Sequence, residues 1–207
     1  MPDDMVLIAG GPFLYGEERS ASEIPYDYYI DRVPVTNADY KRYLDSLSDL
    51  ERPAREPDEW RGGTFPQGKA DHPVTGINSE DAMAYAAWAS KRLPTEQEWE
   101  KAARGTDGRT YPWGEGLDPK RCNVSESGIA DTTPVGSFPQ GASPYGCLDM
   151  AGNVWEWCET WYQEGVYRII RGGSHDESGE VAYCARRKSF MPDLRNYDIG
   201  FRCAKNA

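Results

Sequence analysis

The sequence lacks several features that whole classes of proteins require. No stretch of its 207 residues approaches the ~20 consecutive apolar residues that span a bilayer. The 23 lysines and arginines are outnumbered by 34 aspartates and glutamates, and the net charge of −11 is opposite in sign to that of a surface that binds phosphate backbones. We therefore expect no membrane span and no nucleic-acid partner.

Metal-binding and secretory patterns are also scarce. The chain has only two histidines, and its five cysteines include no CxxC pair, so a zinc site or a disulfide framework is poorly supported. Residues 1–5 contain two acids where a secretory signal has lysine or arginine, and the apolar run at 5–9 is too short for a signal core. The sequence predicts no signal peptide, and the expected location is cytoplasmic or else unassigned.

Length and local patterns predict one loop-rich domain over residues 1–207. Periodicity and capping residues predict helices over 37–46 and 79–92, and a third that a Thr95–Glu98 capping box opens and Gly105 ends after residue 104. Short β-rich runs predict strands over 5–14, 28–33, 167–171, 181–185 and 199–204, while residues 51–71 and 111–145 have the pattern of irregular loops.

Eight short motifs occur in order along nearly the whole chain: VPVTN at 33–37, HPV at 72–74, KRLPTEQEWE at 91–100, YPWG at 111–114, TPVG at 133–136, DMAGNVWEW at 149–157, RGGS at 171–174 and GFR at 200–202. Together they resemble the formylglycine-generating enzyme, or sulfatase-modifying factor, family. The resemblance implies an α+β, C-type-lectin-like fold with small antiparallel sheets, flanking helices and much irregular loop. Local patterns agree with this fold class.

The resemblance also bears on activity. In the sulfatase-activating members, two cysteines after the RGGS motif bind copper(I), an ion that prefers soft sulfur ligands. In this sequence the matching positions are Glu177 and Ala182, so we expect no copper and no formylglycine-generating activity. Cys184 and Cys203 match a structural pair whose family partners are replaced here by alanines, so these two cysteines either pair together or remain thiols.

Calcium is the metal that the resemblance implies. The side chains of Asp149 and Glu156 and the backbone carbonyls of Gly152 and Val154 match family calcium ligands, and such hard oxygens suit this ion. The alternative is that the two acids only stabilise turns while the neighbouring tryptophans pack in the core. A second family calcium site would use Asn123, with Asp131 in place of the family's acid.

The segment 175–198 resembles the variable region of proteins that are diversified by retroelements and share this scaffold. Its candidate ligand-binding residues are His175, Asp176, Ser178, Ser189, Phe190, Leu194, Asn196, Tyr197 and Asp198. Phe190 and Tyr197 are the expected anchors, since interfaces concentrate binding energy in a few aromatic residues. The loop around Trp60 is the alternative surface.

Two functional hypotheses follow. The first is a non-catalytic protein that holds an unknown protein or small-molecule ligand on this C-terminal surface. The second is an oxygen- or iron-dependent oxidase that acts on a thiol, peptide or amino-acid derivative. The missing cysteine pair and the scarcity of histidine favour the first hypothesis, and no catalytic residue stands out.

Overall fold

The computed structural model describes residues 4–207, and it mixes short strands and short helices with long loops. The strands are β1 (Met5–Ile8), β2 (Gly11–Tyr15), β3 (Ser20–Ile24), β4 (Tyr28–Asp31), β5 (Trp155–Gln163), β6 (Tyr167–Arg171), β7 (Arg187–Phe190), β8 (Ile199–Gly200) and β9 (Ala204–Asn206). The helices are α1 (Asn37–Ser46), α2 (Arg52–Arg55), α3 (Ser79–Trp88) and α4 (Glu96–Arg104). This mixture confirms the predicted α+β class.

The three longer helices each begin with a capping box. The cap side chain accepts a hydrogen bond from the third helical amide, and the acid at that position accepts one from the cap amide. The caps are Thr36, Asn78 and Thr95, and the limits of α1 and α4 agree with the prediction. Helix α3 ends at Trp88, before the predicted limit at 92, because Ser90 adopts a left-handed conformation with φ of +57°.

Within residues 4–207 the strands form three sheets. Strands β1, β4 and β9 form one sheet in that order, β2 and β3 form a hairpin, and the third sheet has the order β7-β6-β5-β8. All pairings are antiparallel except that of β5 with β8, which is parallel. The predicted strand over 167–171 is confirmed as β6, at the centre of the largest sheet.

Other predicted strands need correction. The predicted strand over 5–14 is two strands in separate sheets, because the backbone of Gly10 lies against that of Tyr26 and breaks the run. The predicted strand over 199–204 is likewise divided between β8 and β9, and that over 28–33 ends at Asp31. Residues 181–185 form no strand, because the Ser178 side chain caps a short 3-10 helix at Gly179–Val181.

The sequence patterns did not predict four elements: α2, β3, β5 and β7. Strand β5 begins with four consecutive buried residues, so it lacks the alternation that reveals a strand with one solvated face. Strands β3 and β7 consist mostly of polar residues. The loops 51–71 and 111–145 are irregular as expected, apart from α2 and short 3-10 turns.

The core consists of two larger clusters and one small one, and aromatic residues dominate the first. Trp155, Trp157 and Phe201 pack in that first cluster, while Trp99 and Tyr28 pack in the second. The Tyr28 hydroxyl donates to the Glu98 carbonyl oxygen over 2.6 Å, whereas the buried Trp155 indole has no hydrogen-bond partner among the described residues. Among the described residues no helix has both the length and the apolar character to cross a membrane.

Candidate functional site

The turn after β6 begins the segment that the sequence predicts to bind a ligand. Gly172 and Gly173 have φ values of +101° and +77°, in the region that favours glycine. A Cβ atom on Gly173 would lie only 2.9 Å from that of Ala182. The two glycines therefore allow a sharp, tightly packed turn, after which Ser174 and His175 lie in the interior.

His175 is held in place by the DMAGNVWEW motif. Its amide donates to the carbonyl oxygen of Asn153 over 3.0 Å, and its Nδ1 lies 2.9 Å from the same oxygen. The Asn153 side chain is itself fixed, because its Oδ1 accepts from the Thr133 amide at 3.0 Å and from Asn123 at 3.2 Å. Since a carbonyl oxygen only accepts, Nδ1 bears a proton, and in a neutral imidazole this leaves Nε2 as an acceptor.

His175 and Tyr197 line a cleft with a volume of about 110 Å³, which we call the His175 cleft. Its opposite wall comes from the first half of the chain and from the loop that precedes the TPVG motif. Residues on that wall include Asn37, Glu59, Trp60, Lys69, Thr75 and Asp131. The cleft thus joins part of the predicted surface to the loop around Trp60, which the sequence offered as the alternative.

Two aromatic residues give the cleft its apolar surface. The Trp60 indole donates to Asn37 Oδ1 over 3.3 Å, and its ring packs against Phe65, so this side chain is fixed. The Tyr197 ring lies 6.2 Å from the His175 ring, and half of the residue is exposed. Its hydroxyl donates to Asp176 over 2.5 Å. The structure therefore brings His175, Asp176 and Tyr197 together.

A polar network lies along the floor of the cleft. Lys69 Nζ lies 2.6 Å from Asp131 Oδ2 and 3.3 Å from both Thr132 Oγ1 and His72 Nδ1. Burial alone would raise the pKa of Asp131, but the hydrogen bond and charge of Lys69 lower it. Burial and Lys69 both lower the pKa of His72. His72 is thus a loop residue that is held by hydrogen bonding, with its Nδ1 2.8 Å from Thr132 Oγ1.

Asp198 lies beneath this surface and not on it. Asp198 is 8% exposed, and its Oδ2 accepts a hydrogen bond from the Ser174 hydroxyl over 3.0 Å. Its Oδ1 has no hydrogen-bond partner among the described residues, and burial raises the pKa of the carboxyl. The predicted contact of Asp198 with a ligand therefore needs the side chain to become accessible.

The remaining predicted ligand residues are dispersed. Ser178 faces Glu126, to which its hydroxyl donates over 2.6 Å, and Ser189 lies on strand β7. Phe190 is partly buried against Trp157, with ring centroids 6.1 Å apart, so it contributes to the edge of the core. Leu194 is exposed, and Asn196 bonds the Tyr197 amide through its side chain.

The predicted calcium ligands surround an arginine. Arg202 Nε and Nη2 each donate to the Glu156 carboxylate over 2.7 Å, and Nη2 also donates to the Asp149 carbonyl oxygen over 3.4 Å. Asp149 Oδ2 accepts from the Gly136 amide at 2.7 Å. Burial raises the pKa of Asp149 to about 6. The guanidinium already neutralises the one acid that faces it, so this arrangement does not fit a calcium ion.

Gly152 and Val154 also take part in local hydrogen bonds, with the Val154 amide donating to the Gly152 carbonyl oxygen over 3.0 Å. At the second predicted site, Asn123 donates to the backbone of Asp131, whose carboxylate pairs with Lys69. Within residues 4–207 no group of three or more His, Cys, Asp or Glu side chains is placed to hold a metal ion. Calcium binding stays a prediction of the sequence.

None of the five cysteines occupies a position that matches a copper ligand of the family. All five cysteines are buried and free, and burial raises the pKa of each. Cys184 and Cys203 belong to different core clusters, so the alternative in which they remain thiols is the one observed. At the copper positions Glu177 pairs with Lys188 at 2.9 Å, and Ala182 is buried.

Sequence patterns missed several residues of the cleft. Glu59, Lys69 and Thr75 were assigned no role, although they lie in or beside the long loop at 51–71. The unusual length of that loop and the tryptophan within it were the available signals.

A comparison with known protein families matches the sulfatase-modifying factor enzyme 1-like domain over residues 1–207. The chain belongs to this family. Among curated sulfatase-modifying factor relatives, the chain is 41% identical to the formylglycine-generating enzyme of Streptomyces coelicolor, over 68% of this chain and 54% of that protein. It is 33% identical to the inactive C-alpha-formylglycine-generating enzyme 2 of Bos taurus, over 99% of this chain and 88% of that protein.

Another relative is serine/threonine-protein kinase pkn1 of Chlamydia caviae, with 39% identity over 98% of this chain. This chain spans 38% of the length of that protein. The family therefore includes proteins in which the matched region is a minor part of the whole.

Solved structures share the fold over nearly the full chain. Treponema denticola variable protein 1 has a TM-score of 0.82 at 21% identity and covers 98% of this chain and 95% of its own. PvdO from Pseudomonas aeruginosa has a TM-score of 0.78 at 27% identity, with 98% and 94% covered. The predicted C-type-lectin-like fold of the formylglycine-generating enzyme type is confirmed.

Proposed function

We propose that this chain is a non-catalytic ligand-binding protein of the sulfatase-modifying factor family. The ligand would bind at the His175 cleft and on the surrounding C-terminal surface. The observation that supports the proposal most strongly is the replacement at the copper positions, where a Glu177–Lys188 ion pair and a buried alanine stand in place of two thiolates. Function in this family depends on the site and not on the fold.

The thiols elsewhere in the chain give no substitute. A thiolate is the form that binds metal or attacks a substrate, and burial favours the protonated thiol. Cys158 and Cys203 are completely covered, and burial raises their pKa well above the usual value. These cysteines suit a core better than an oxidase site, which is why we prefer binding to catalysis.

Only one of the two anchors that the sequence suggested is accessible at the surface. Tyr197 is exposed at the cleft and remains an anchor, whereas Phe190 packs on Trp157. Trp60 also lines the cleft and is held rigid by neighbouring rings, but the residue is only 4% exposed and belongs to the first core cluster, so it can supply only a small contact. Rigid aromatic groups lose little conformational entropy on binding, which favours them as anchors.

The retroelement hypothesis adds that residues 175–198 vary between copies of the protein. It is supported by the placement of Asp176, Leu194 and Tyr197 at the surface, where substitutions disturb the core little. A near-copy of the coding segment that differs chiefly at adenines, beside a reverse-transcriptase gene, would support it. If sequenced isolates show a constant segment and no such copy, the segment is not diversified.

The binding proposal can be tested with a phage-displayed random peptide library selected on the wild-type protein. Selected peptides should lose at least about tenfold in affinity on Tyr197→Ala, as expected for an anchor worth about 1.4 kcal/mol or more. Tyr162→Ala is a matched control, since Tyr162 is exposed on strand β5. Equal binding by both variants would place the recognition surface elsewhere.

The non-catalytic part of the proposal has a separate assay. The purified protein, supplied with copper(I) and oxygen, should not convert a cysteine-containing sulfatase peptide to its aldehyde. Formation of the aldehyde, seen as the mass change of the peptide, would refute this part and favour the oxidase hypothesis.

A further inference from the structure

We propose that the His175 cleft binds a protonated amine or a guanidinium group, such as the end of a lysine or arginine side chain. This inference rests on the proposed function and names the chemistry of the group that the cleft would accept. Three properties of the described residues lead to it: an acid without an ion pair, a ring nitrogen without a hydrogen-bond partner, and an aromatic lining.

The first property is the charge balance of the cleft. Lys69 is the cation on the lining, and its ammonium group is already engaged by Asp131, Thr132 and His72. Glu59 lines the same cleft, makes one side-chain hydrogen bond, from Thr75 at 3.3 Å, and has no ion pair within residues 4–207. A negative charge at the cleft is therefore left without a counter-charge.

Neighbouring carboxylates make the negative charge of Glu59 less favourable when no cation is nearby. Partial burial raises the pKa of the Glu59 carboxyl, and the charges of Asp131 and Asp58 raise it further, while the hydrogen bond from Thr75 and the charge of Lys69 lower it. Asp176 adds another carboxylate beside Tyr197. A ligand cation would relieve this repulsion, whereas a carboxylate or phosphate ligand would increase it.

The second property is the acceptor on His175. The residue is 6% exposed, and its Nδ1 is committed to the carbonyl oxygen of Asn153. Among the described residues no donor lies within hydrogen-bond distance of Nε2, although His175 lines the cleft. Nε2 is not one of the fully covered atoms that lack a partner, so it is open to a donor from a ligand. Ammonium and guanidinium groups have only donors, so they match this atom.

The third property is the shape and surface of the cleft. The half-exposed Tyr197 and the 4% exposed Trp60 both line the cleft, and a cation over an aromatic face is attracted by the quadrupole of the ring. The volume of about 110 Å³ is well below the ~300 Å³ that begins the range for drug-sized ligands. It is suited to the end of one side chain, with the rest of the ligand lying outside on the C-terminal surface.

The test uses small cations as probes and the Trp60 indole as the reporter. In ¹H–¹⁵N NMR spectra, n-butylammonium and n-butylguanidinium should shift the Trp60 indole signal in a saturable way, and sodium butyrate should not. Acetyl-Gly-Lys-Gly-amide compared with acetyl-Gly-Gln-Gly-amide separates peptide side chains from free amines as the source. Tighter binding of the lysine peptide than of n-butylammonium indicates a protein ligand, and the reverse indicates a free amine.

Two variants then assign the effect. Glu59→Gln should weaken n-butylammonium binding at least about tenfold, because a charge-assisted contact is lost. Glu164→Gln, at the β5–β6 turn, should leave it unchanged. Both sites are exposed, so the melting temperature should move by less than about 2 °C in either variant.

The outcomes separate this inference from the proposed function. If the cations cause no saturable shift, or if Glu59→Gln binds them as well as the wild type, the inference is wrong. The proposed function still stands in that case when Tyr197→Ala abolishes binding of the selected peptides. If Tyr197→Ala changes nothing while the cations bind through Glu59, the cleft takes cations but the C-terminal surface is not the recognition surface.

Discussion

The buried pair of Glu156 and Arg202 should be strongly coupled in the stability of the fold. Both side chains are completely covered, and Arg202 also donates to carbonyl oxygens of Leu148 and Asp31 at 2.9 and 3.1 Å. Glu156 accepts in addition from the Trp99 indole at 2.7 Å. Removal of either partner leaves a buried charge without compensation, which typically costs about 3–5 kcal/mol.

The magnitude can be measured by a double-mutant cycle. Glu156→Leu and Arg202→Met should each lower the free energy of unfolding by about 3–5 kcal/mol, or the melting temperature by about 6–20 °C for a chain of this size. The double variant should recover more than half of the summed loss, because apolar groups of similar volume can replace a buried pair at little cost. Urea unfolding followed by tryptophan fluorescence gives these values.

Glu159→Leu is a matched control for this experiment. Glu159 lies on the same strand as Glu156 but is exposed, so the substitution should change the free energy of unfolding by no more than about 0.5 kcal/mol. If the two single variants at the pair behave like this control, or if their losses simply add in the double variant, the assigned role of the pair is wrong.

Four further predictions follow from the structure. Chelation with EDTA should leave the melting temperature unchanged, because Arg202 already neutralises Glu156; a fall would support the calcium prediction instead. Gly173→Ala should lower the free energy of unfolding by at least about 2 kcal/mol more than Gly165→Ala in urea titrations, because only Gly173 has a neighbour, at 2.9 Å, in the way of a Cβ atom. All five thiols should resist Ellman's reagent in the native protein and react in denaturant, since they are buried; fast native labelling would contradict this. Because burial raises the pKa of Asp198, its contribution to stability should be present at low pH and be lost as the pH rises through its folded pKa; the stability difference between wild type and Asp198→Asn, measured from pH 4 to 8, should show this slope.

Features set by neighbouring residues were predictable from the sequence. The capping boxes at Thr36, Asn78 and Thr95 depend on residues three positions apart, so the starts of the three longer helices agree with the structure. The end of α3 was less predictable, because the left-handed position is occupied by Ser90 and not by glycine or asparagine, the residues that usually mark such a helix end.

Features that join distant segments were not predictable. Glu59 and Trp60 meet His175 and Tyr197 across more than a hundred residues of chain, and no local pattern reports such a contact. The calcium motif shows the same limitation, because its spacing is present but Arg202, from the other end of the chain, lies among its ligands. For Glu156 the partner is determined by tertiary structure and not by local sequence.

The pairing of β1 and β9 on either side of β4 has a mechanical consequence. Both outer strands run antiparallel to β4, with Met5 opposite Asp31 at one end and Asn206 opposite Tyr28 at the other. A pulling force on the two ends of the chain would therefore slide β1 and β9 in opposite directions along β4. Backbone hydrogen bonds in such ladders lie perpendicular to the strands, so they would resist together and not open one by one. A tethered copy of this domain should withstand tension through that small sheet while the His175 cleft stays folded.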